Sequence, residues 1–212
     1  MLHVRRLVGE FFVKLEKIDE WIAAEVAAGR CSHCNGPLHK GNYHRKPRGG
    51  LIAVAGESLT VRHSLCCGRR GCRKRSLPPS LRFLGRRVYL EAVVVLASVF
   101  AQVMATLRKA TTASGVPART LRRWGWWWRE VFPALSTWTE LRTWFAPPPP
   151  DETRLPQSLL ARIESELHTG GEEPTAADVM LIGARCLAPA TTRSVVDGSR
   201  FVRAAFAQTA AS

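Results

Sequence analysis

Apolar positions near the start of the chain recur at steps of four and three. Leu7, Phe11, Leu15, Ile18, Ile22 and Val26 form the series, with Lys14, Lys17 and Glu20 elsewhere on the surface. That period predicts an amphipathic helix over residues 4–28, closed by Gly29 in the position where glycine ends many helices. Such a face packs against its own domain or, in the functional alternative, forms a homodimer seam. Between residues 30 and 80 the helical period is lost, and the chain turns Gly-rich and basic. Residues 51–54 and 59–65 read as short strands joined by a turn at Gly56-Glu57-Ser58, with Leu59, Val61 and Leu65 on one face. Pro78-Pro79 breaks the chain before a new element.

The most apolar stretch, residues 88–106, raises the question of a membrane span. Within 92–101 only Ser98 is polar, and Glu91 and Gln102 bracket the run. A spanning helix needs about 20 predominantly apolar residues, so a buried core helix is expected. Further helices are predicted over 107–114, 117–131 and 134–145. Pro147 to Pro150 form a stiff spacer. Helices over 157–168 and 176–187 come next, separated by Gly170-Gly171, with a weaker helical pattern at 195–206. There is no internal repeat. The fold class is therefore mainly α with a small β zinc ribbon and a helix-turn-helix three-helix core. The divisions fall at 1–29 (amphipathic helix), 30–80 (ribbon), 81–146 (helix-turn-helix domain), 147–150 (linker) and 151–212 (C-terminal helical segment).

Charge sharpens this picture. The 212 residues carry a net charge of +14, and 46% of them are hydrophobic, which suits a globular chain. Residues 1–146 hold +16 and residues 147–212 hold −2; between Arg30 and Arg87 stand 14 basic residues and a single acid, Glu57. So one-sided a stretch repels itself unless a polyanion lies nearby, and nucleic acid is the commonest one. Met1 to Arg6 is basic, but Glu10, Lys14, Glu16 and Lys17 interrupt the adjoining apolar residues, so no secretory signal core is expected.

Five of the six cysteines fall between positions 31 and 72, and in a chain expected to be cytoplasmic that clustering points to metal rather than disulfides. Cys31-Ser-His-Cys34-Asn-Gly is one half-site; Cys66-Cys67-Gly-Arg-Arg-Gly-Cys72 is the other. Four thiolates fill a tetrahedral Zn²⁺ shell with no open position, the mark of a structural site. The expected ligands are Cys31, Cys34, Cys67 and Cys72. Cys66 is the alternative to Cys67, and His33, His44 or His63 are alternative nitrogen ligands. Cys186 stands alone in an apolar segment and is expected in the core.

The stretch Thr111-Thr-Ala-Ser-Gly115-Val116-Pro-Ala-Arg-Thr120-Leu121-Arg-Arg-Trp124 predicts two helices around a tight turn, with Gly115 supplying the left-handed residue. Thr111 occupies the place, four before the glycine, where a small residue is usual. Val116, Leu121 and Trp124 would pin the second helix, leaving Ala118, Arg119, Arg122 and Arg123 outward, with Thr120 also a candidate for DNA contact. Arg119 and Arg122 are the candidates for guanine contact; Arg123 and Arg129 are expected on phosphates, as are Arg69, Arg70, Arg73, Lys74 and Arg75. Trp124, Trp126, Trp127 and Trp128 are expected in the core, as are Trp138 and Trp144.

Residues Cys31-x-x-Cys34, Cys67-Gly-Arg-Arg-Gly-Cys72-Arg-Lys-Arg and Gly115-Val-Pro-Ala-Arg-Thr-Leu-Arg-Arg-Trp124 together resemble proteins associated with bacterial transposable elements, in which a cysteine zinc ribbon feeds a helix-turn-helix. Pro78-Pro-Ser-Leu-Arg-Phe-Leu-Gly-Arg-Arg-Val-Tyr89 is similar to segments of such chains, without an assigned role. The resemblance spans roughly residues 30 to 130. It implies a cytoplasmic, nucleoid-associated protein that recognises element ends or a promoter. The acids after residue 150 supply no credible trio for a two-metal strand-cutting centre. The expectation is a non-enzymatic, sequence-specific binder of double-stranded DNA linked to transposition or transcription, with a transposase or recombinase as candidate protein partner, no membrane association and a homodimer as a candidate state. The alternatives are an RNA or single-strand binder using the tryptophans as stacking platforms, and an adaptor for a recombinase or another protein.

Overall fold

In a computed structural model of the chain, residues 9–48, 60–84, 89–145, 147–168 and 173–191 are described. The first helix, α1 (Gly9–Ala28), buries Phe11, Phe12, Leu15 and Ile22, with Ile18 and Val26 partly buried beside them. This is the face that the apolar period marked; residues 4–8 lie outside the described ones.

Five short strands come next: β1 (Leu38–Lys40), β2 (Tyr43–His44), β3 (Val61–Arg62), β4 (Leu65–Cys67) and β5 (Arg75–Ser76). They form two antiparallel sheets, one in the order β1-β4-β5 and the other β2-β3. The strand expected over 59–65 is not one strand. Val61 and Arg62 pair with β2, whereas Leu65 begins the strand that pairs with β1 and β5. Between them the Ser64 amide donates to Asn42 Oδ1 at 3.2 Å, and the Ser64 carbonyl accepts from Gly41 at 2.7 Å. A side chain thus takes a ladder donor and the chain changes sheets. The expected strand at 51–54 and its turn lie outside the described residues.

Most of the other described residues are helical, so the described chain is mainly α with two small antiparallel sheets. Helix α2 (Glu91–Val103) buries most of its residues, from Glu91 through Phe100. Among the described residues no helix is long and apolar enough to cross a membrane. Helix α3 (Leu107–Ser114), capped by the Thr106 hydroxyl, and helix α4 (Ala118–Trp126) both pack on α2 and on each other. A π-helical turn at Trp127–Val131 continues α4, and α5 (Ser136–Arg142) lies beyond it. Past the proline run, α6 (Gln157–His168) and α7 (Ala176–Leu187) pair with each other, and α7 also meets α1 and α2. One apolar core therefore lies on both sides of Pro147–Pro150. Cys186 is buried in it, and burial pushes its thiol up to about 12.

A buried polar knot ties the elements together. Asp19 of α1 accepts from Ser80 Oγ at 2.7 Å, Leu81 N at 2.6 Å and Arg82 Nε at 2.9 Å. Arg82 Nη2 reaches the Val61 carbonyl in β3 at 2.9 Å, and the Arg82 carbonyl accepts the Glu91 amide at the start of α2 at 2.8 Å. Asp19, Ser80 and Arg82 are each at most 1% exposed. A buried charge this far from water persists only with its partners in place. The Ser80-Leu81-Arg82 part of the unassigned 78–89 segment is thus the joint between α1, the sheets and the helices.

Candidate metal centre and basic helix face

The two cysteine half-sites fold as near copies of each other. In the first, the Cys31 amide donates to the Gly36 carbonyl at 2.9 Å; in the second, the Cys67 amide donates to the Lys74 carbonyl at 2.9 Å. Each bond runs from the first cysteine to the residue two past the second. Each second cysteine is followed by a residue with positive φ, Asn35 at 55° and Arg73 at 46°. This geometry turns the chain back on itself and aims both sulfurs of a half-site the same way.

The result is one cluster. Among the described residues, Cys31, Cys34, Cys67 and Cys72 are the group of metal-ligating type that gathers, with all four sulfurs within 4.8 Å of one another. Cys31 Sγ lies 3.8 Å from Cys72 Sγ, and Cys34 Sγ lies 3.4 Å from Cys67 Sγ. A tetrahedral ion with Zn–S bonds of about 2.3 Å needs sulfur edges of about 3.8 Å, so the spacing fits an ion. A Cβ at Gly36 would stand 3.0 Å from Cys67 Sγ and 3.3 Å from Cys34 Sγ; glycine leaves that space to the sulfurs. The cluster can hold a metal.

The backbone also prepares the charge. The His33 amide, helped by the Cys34 amide and the neighbouring thiols, outweighs burial and brings the Cys31 thiol from 9.0 down to about 7. At Cys72 the Lys74 amide pulls the same way, but burial and the Cys34 and Cys31 thiols prevail and leave that thiol raised. Cys66 points away, its Sγ 3.6 Å from the Arg73 carbonyl. The histidine alternatives also fall outside the cluster. His63 Nδ1 faces Asn42 at 3.3 Å, and burial, then Arg82, holds its imidazole low. His44 Nδ1 faces Thr60 Oγ1 at 2.9 Å.

Arg69, Arg70, Arg73, Lys74 and Arg75 ring the second half-site and are exposed. Two of them also have local roles: Arg69 donates to the Cys34 carbonyl at 3.1 Å, and Arg75 lies over the Tyr43 ring at 5.5 Å.

The second candidate surface is on α4. Gly115 ends α3 at φ 67°, its amide donating to the Thr111 carbonyl at 2.9 Å, and only two residues separate it from α4. Val116, Leu121 and Trp124 are buried, and Trp124 meets Tyr89 edge-on at 5.1 Å. The small residue that α3 buries is Ala110, at 0% exposure, whereas Thr111 is half-buried. Arg119, Arg122, Arg123 and Arg129 are exposed and Thr120 is half-buried.

One of the core expectations needs correcting. Trp124 and Trp128 are buried, Trp127 packs partly against the core and Trp138 is buried, but Trp126 is 54% exposed. Residues 121, 124 and 128 share one helical face, and position 126 is rotated about 200° from 124. Spacing alone separated it from its neighbours, and the run of tryptophans masked that signal. Comparison with known proteins matches no family model, no curated protein and no solved structure.

Proposed function

We propose that this chain is a non-catalytic protein that binds double-stranded DNA, with α3, the Gly115 turn and α4 acting as a helix-turn-helix. Helix α4 lies in the major groove with its N-terminal residues toward base edges, Arg119 and Arg122 read guanines, and Arg123 and Arg129 meet phosphates. Cys31, Cys34, Cys67 and Cys72 hold a structural Zn²⁺. This d¹⁰ ion suits a four-thiolate shell without an open position. The zinc ribbon so formed carries Arg70, Arg73 and Lys74 to the phosphate backbone. The observation that carries the reading is on α4: Leu121 and Trp124 face the core of a three-helix group while Arg119, Arg122 and Arg123 stand exposed, in a chain of net charge +14.

The resemblance to transposable-element proteins supplies the programme, recognition of element ends or of a promoter on the nucleoid, with a transposase or recombinase as the protein partner. Of the tryptophans that the single-strand alternative would use as stacking platforms, Trp124 and Trp128 are buried, which leaves Trp126 on the basic face for that role.

Selection of bound sites from random duplex, repeated after chelation, tests the reading. Binding should weaken with salt at a log–log slope of about −5 for six phosphates engaged. Arg119→Ala should relax base preference, whereas Arg70→Ala should weaken all sequences alike. Indifference to duplex, or tighter binding to single strands in competition, overturns it; a preference untouched by Arg119→Ala removes that contact.

A further inference from the structure

A tryptophan stands in the middle of the basic face of α4. Trp126 comes seven residues after Arg119 and four after Arg122, so the three side chains share one face. Its indole is 54% exposed, while Trp124 and Trp128 on the opposite side are at 1% and 0%. Among the described residues that indole has no hydrogen bond and no ring contact. Beside it the helix carries Gly125. Beyond its chain neighbours and its own helix backbone, a Cβ there would meet only Arg129 Nη1, at 3.4 Å. Glycine in a helix interior costs up to about 1 kcal/mol relative to alanine. A large apolar ring amid four exposed guanidinium groups fits a partner with anionic rims and an apolar floor.

We propose that Trp126 is a base-reading residue that packs its indole on the C5-methyl group of a thymine in the major groove of duplex DNA. The proposal rests on the DNA reading above and names what that surface selects. The thymine methyl is the apolar group that the major groove displays. Seven residues of helix rise about 10 Å, so the thymine lies further along the groove than the guanine read by Arg119. Gly125 leaves room for the sugar–phosphate chain alongside, with Arg129 against its phosphate.

The test uses the full chain with its metal and a duplex recovered from the random-pool selection. Each thymine is replaced singly by deoxyuridine, which deletes one methyl group and keeps the hydrogen-bonding edge. At one thymine, replacement should weaken wild-type binding about four-fold, the worth of one buried methyl-sized group, and should leave Trp126→Ala binding unchanged. Trp126→Phe should keep part of the discrimination. Equal losses in wild type and Trp126→Ala, or no loss at any thymine, overturn the proposal while duplex binding stands. A wild-type dimer that dissociates in Trp126→Ala before DNA is added assigns the face to a second copy and also overturns it. A chain that binds no duplex at all removes the DNA reading and this proposal together.

Discussion

The cysteine-bearing sheets and the helical body are built on opposite terms. The helices bury Phe12, Ile22, Val94, Leu96, Trp124, Trp128, Trp138 and Ile163 in one continuous apolar core. The sheets have strands of two or three residues and bury chiefly Leu65 and two of the cysteines from their own apolar side chains. Much of what they bury is polar: Arg62, His63 and Ser64. Burial of apolar surface can hold the first region. The second needs bonds of another kind, and the four convergent sulfurs, which can hold a metal, are placed to make them. The contrast teaches that the two regions should respond separately to insult, although the Asp19–Arg82 knot and the packing of β1 on α1 join them.

The sharpest break of that contrast is metal removal. A structural zinc site contributes on the order of 10 kcal/mol, so chelation or Cys67→Ser should unfold the sheets while the helices persist. Hydrogen exchange reads this directly, with amide protection lost over Leu65–Cys67 and kept in α2 and α4. Equal protection of both regions with and without metal would refute the division.

A smaller effect is expected at the joint. Asp19→Ala removes the carboxylate 2.9 Å from Arg82 Nε and leaves Glu16 at 3.8 Å. Loss of one partner of a buried pair costs about 3–5 kcal/mol. Denaturant titration should report that loss and a splitting of the transition, and adding Arg82→Met should recover part of it. A loss under about 0.5 kcal/mol would mark the knot as an ordinary surface contact.

The smallest effect has the opposite sign. Gly125→Ala replaces a helical glycine where the new Cβ meets only the flexible end of Arg129. It should raise stability by up to about 1 kcal/mol in thermal melts while weakening duplex binding. A gain in both would show that the space at Gly125 serves no ligand.

Periodicity made much of this molecule legible. The helices at 107–114, 157–168 and 176–187 lie where apolar spacing and their flanking breakers put them, because α-helical contacts are local and leave their period in the chain. The four-cysteine set was readable for a related reason: a tight half-site needs its ligands a few residues apart. Strands were less readable. Val61-Arg62 and Leu65-Cys67 look like one run, but the partners that divide them, Tyr43 and Leu38, lie far back in the sequence.

By itself, then, the sequence determined the helices, the two cysteine half-sites and the sign of the charge. Only the tertiary structure decided which thiol of the Cys66–Cys67 pair turns inward, that Ala110 is buried while Thr111 is only half-buried, that Trp126 alone of its run faces out, and that Asp19 and Arg82 meet across 63 positions of chain. Each of these depends on what packs against a residue from a distant segment. Spacing along the chain records the face that a side chain occupies, but the neighbour waiting there is set by the fold.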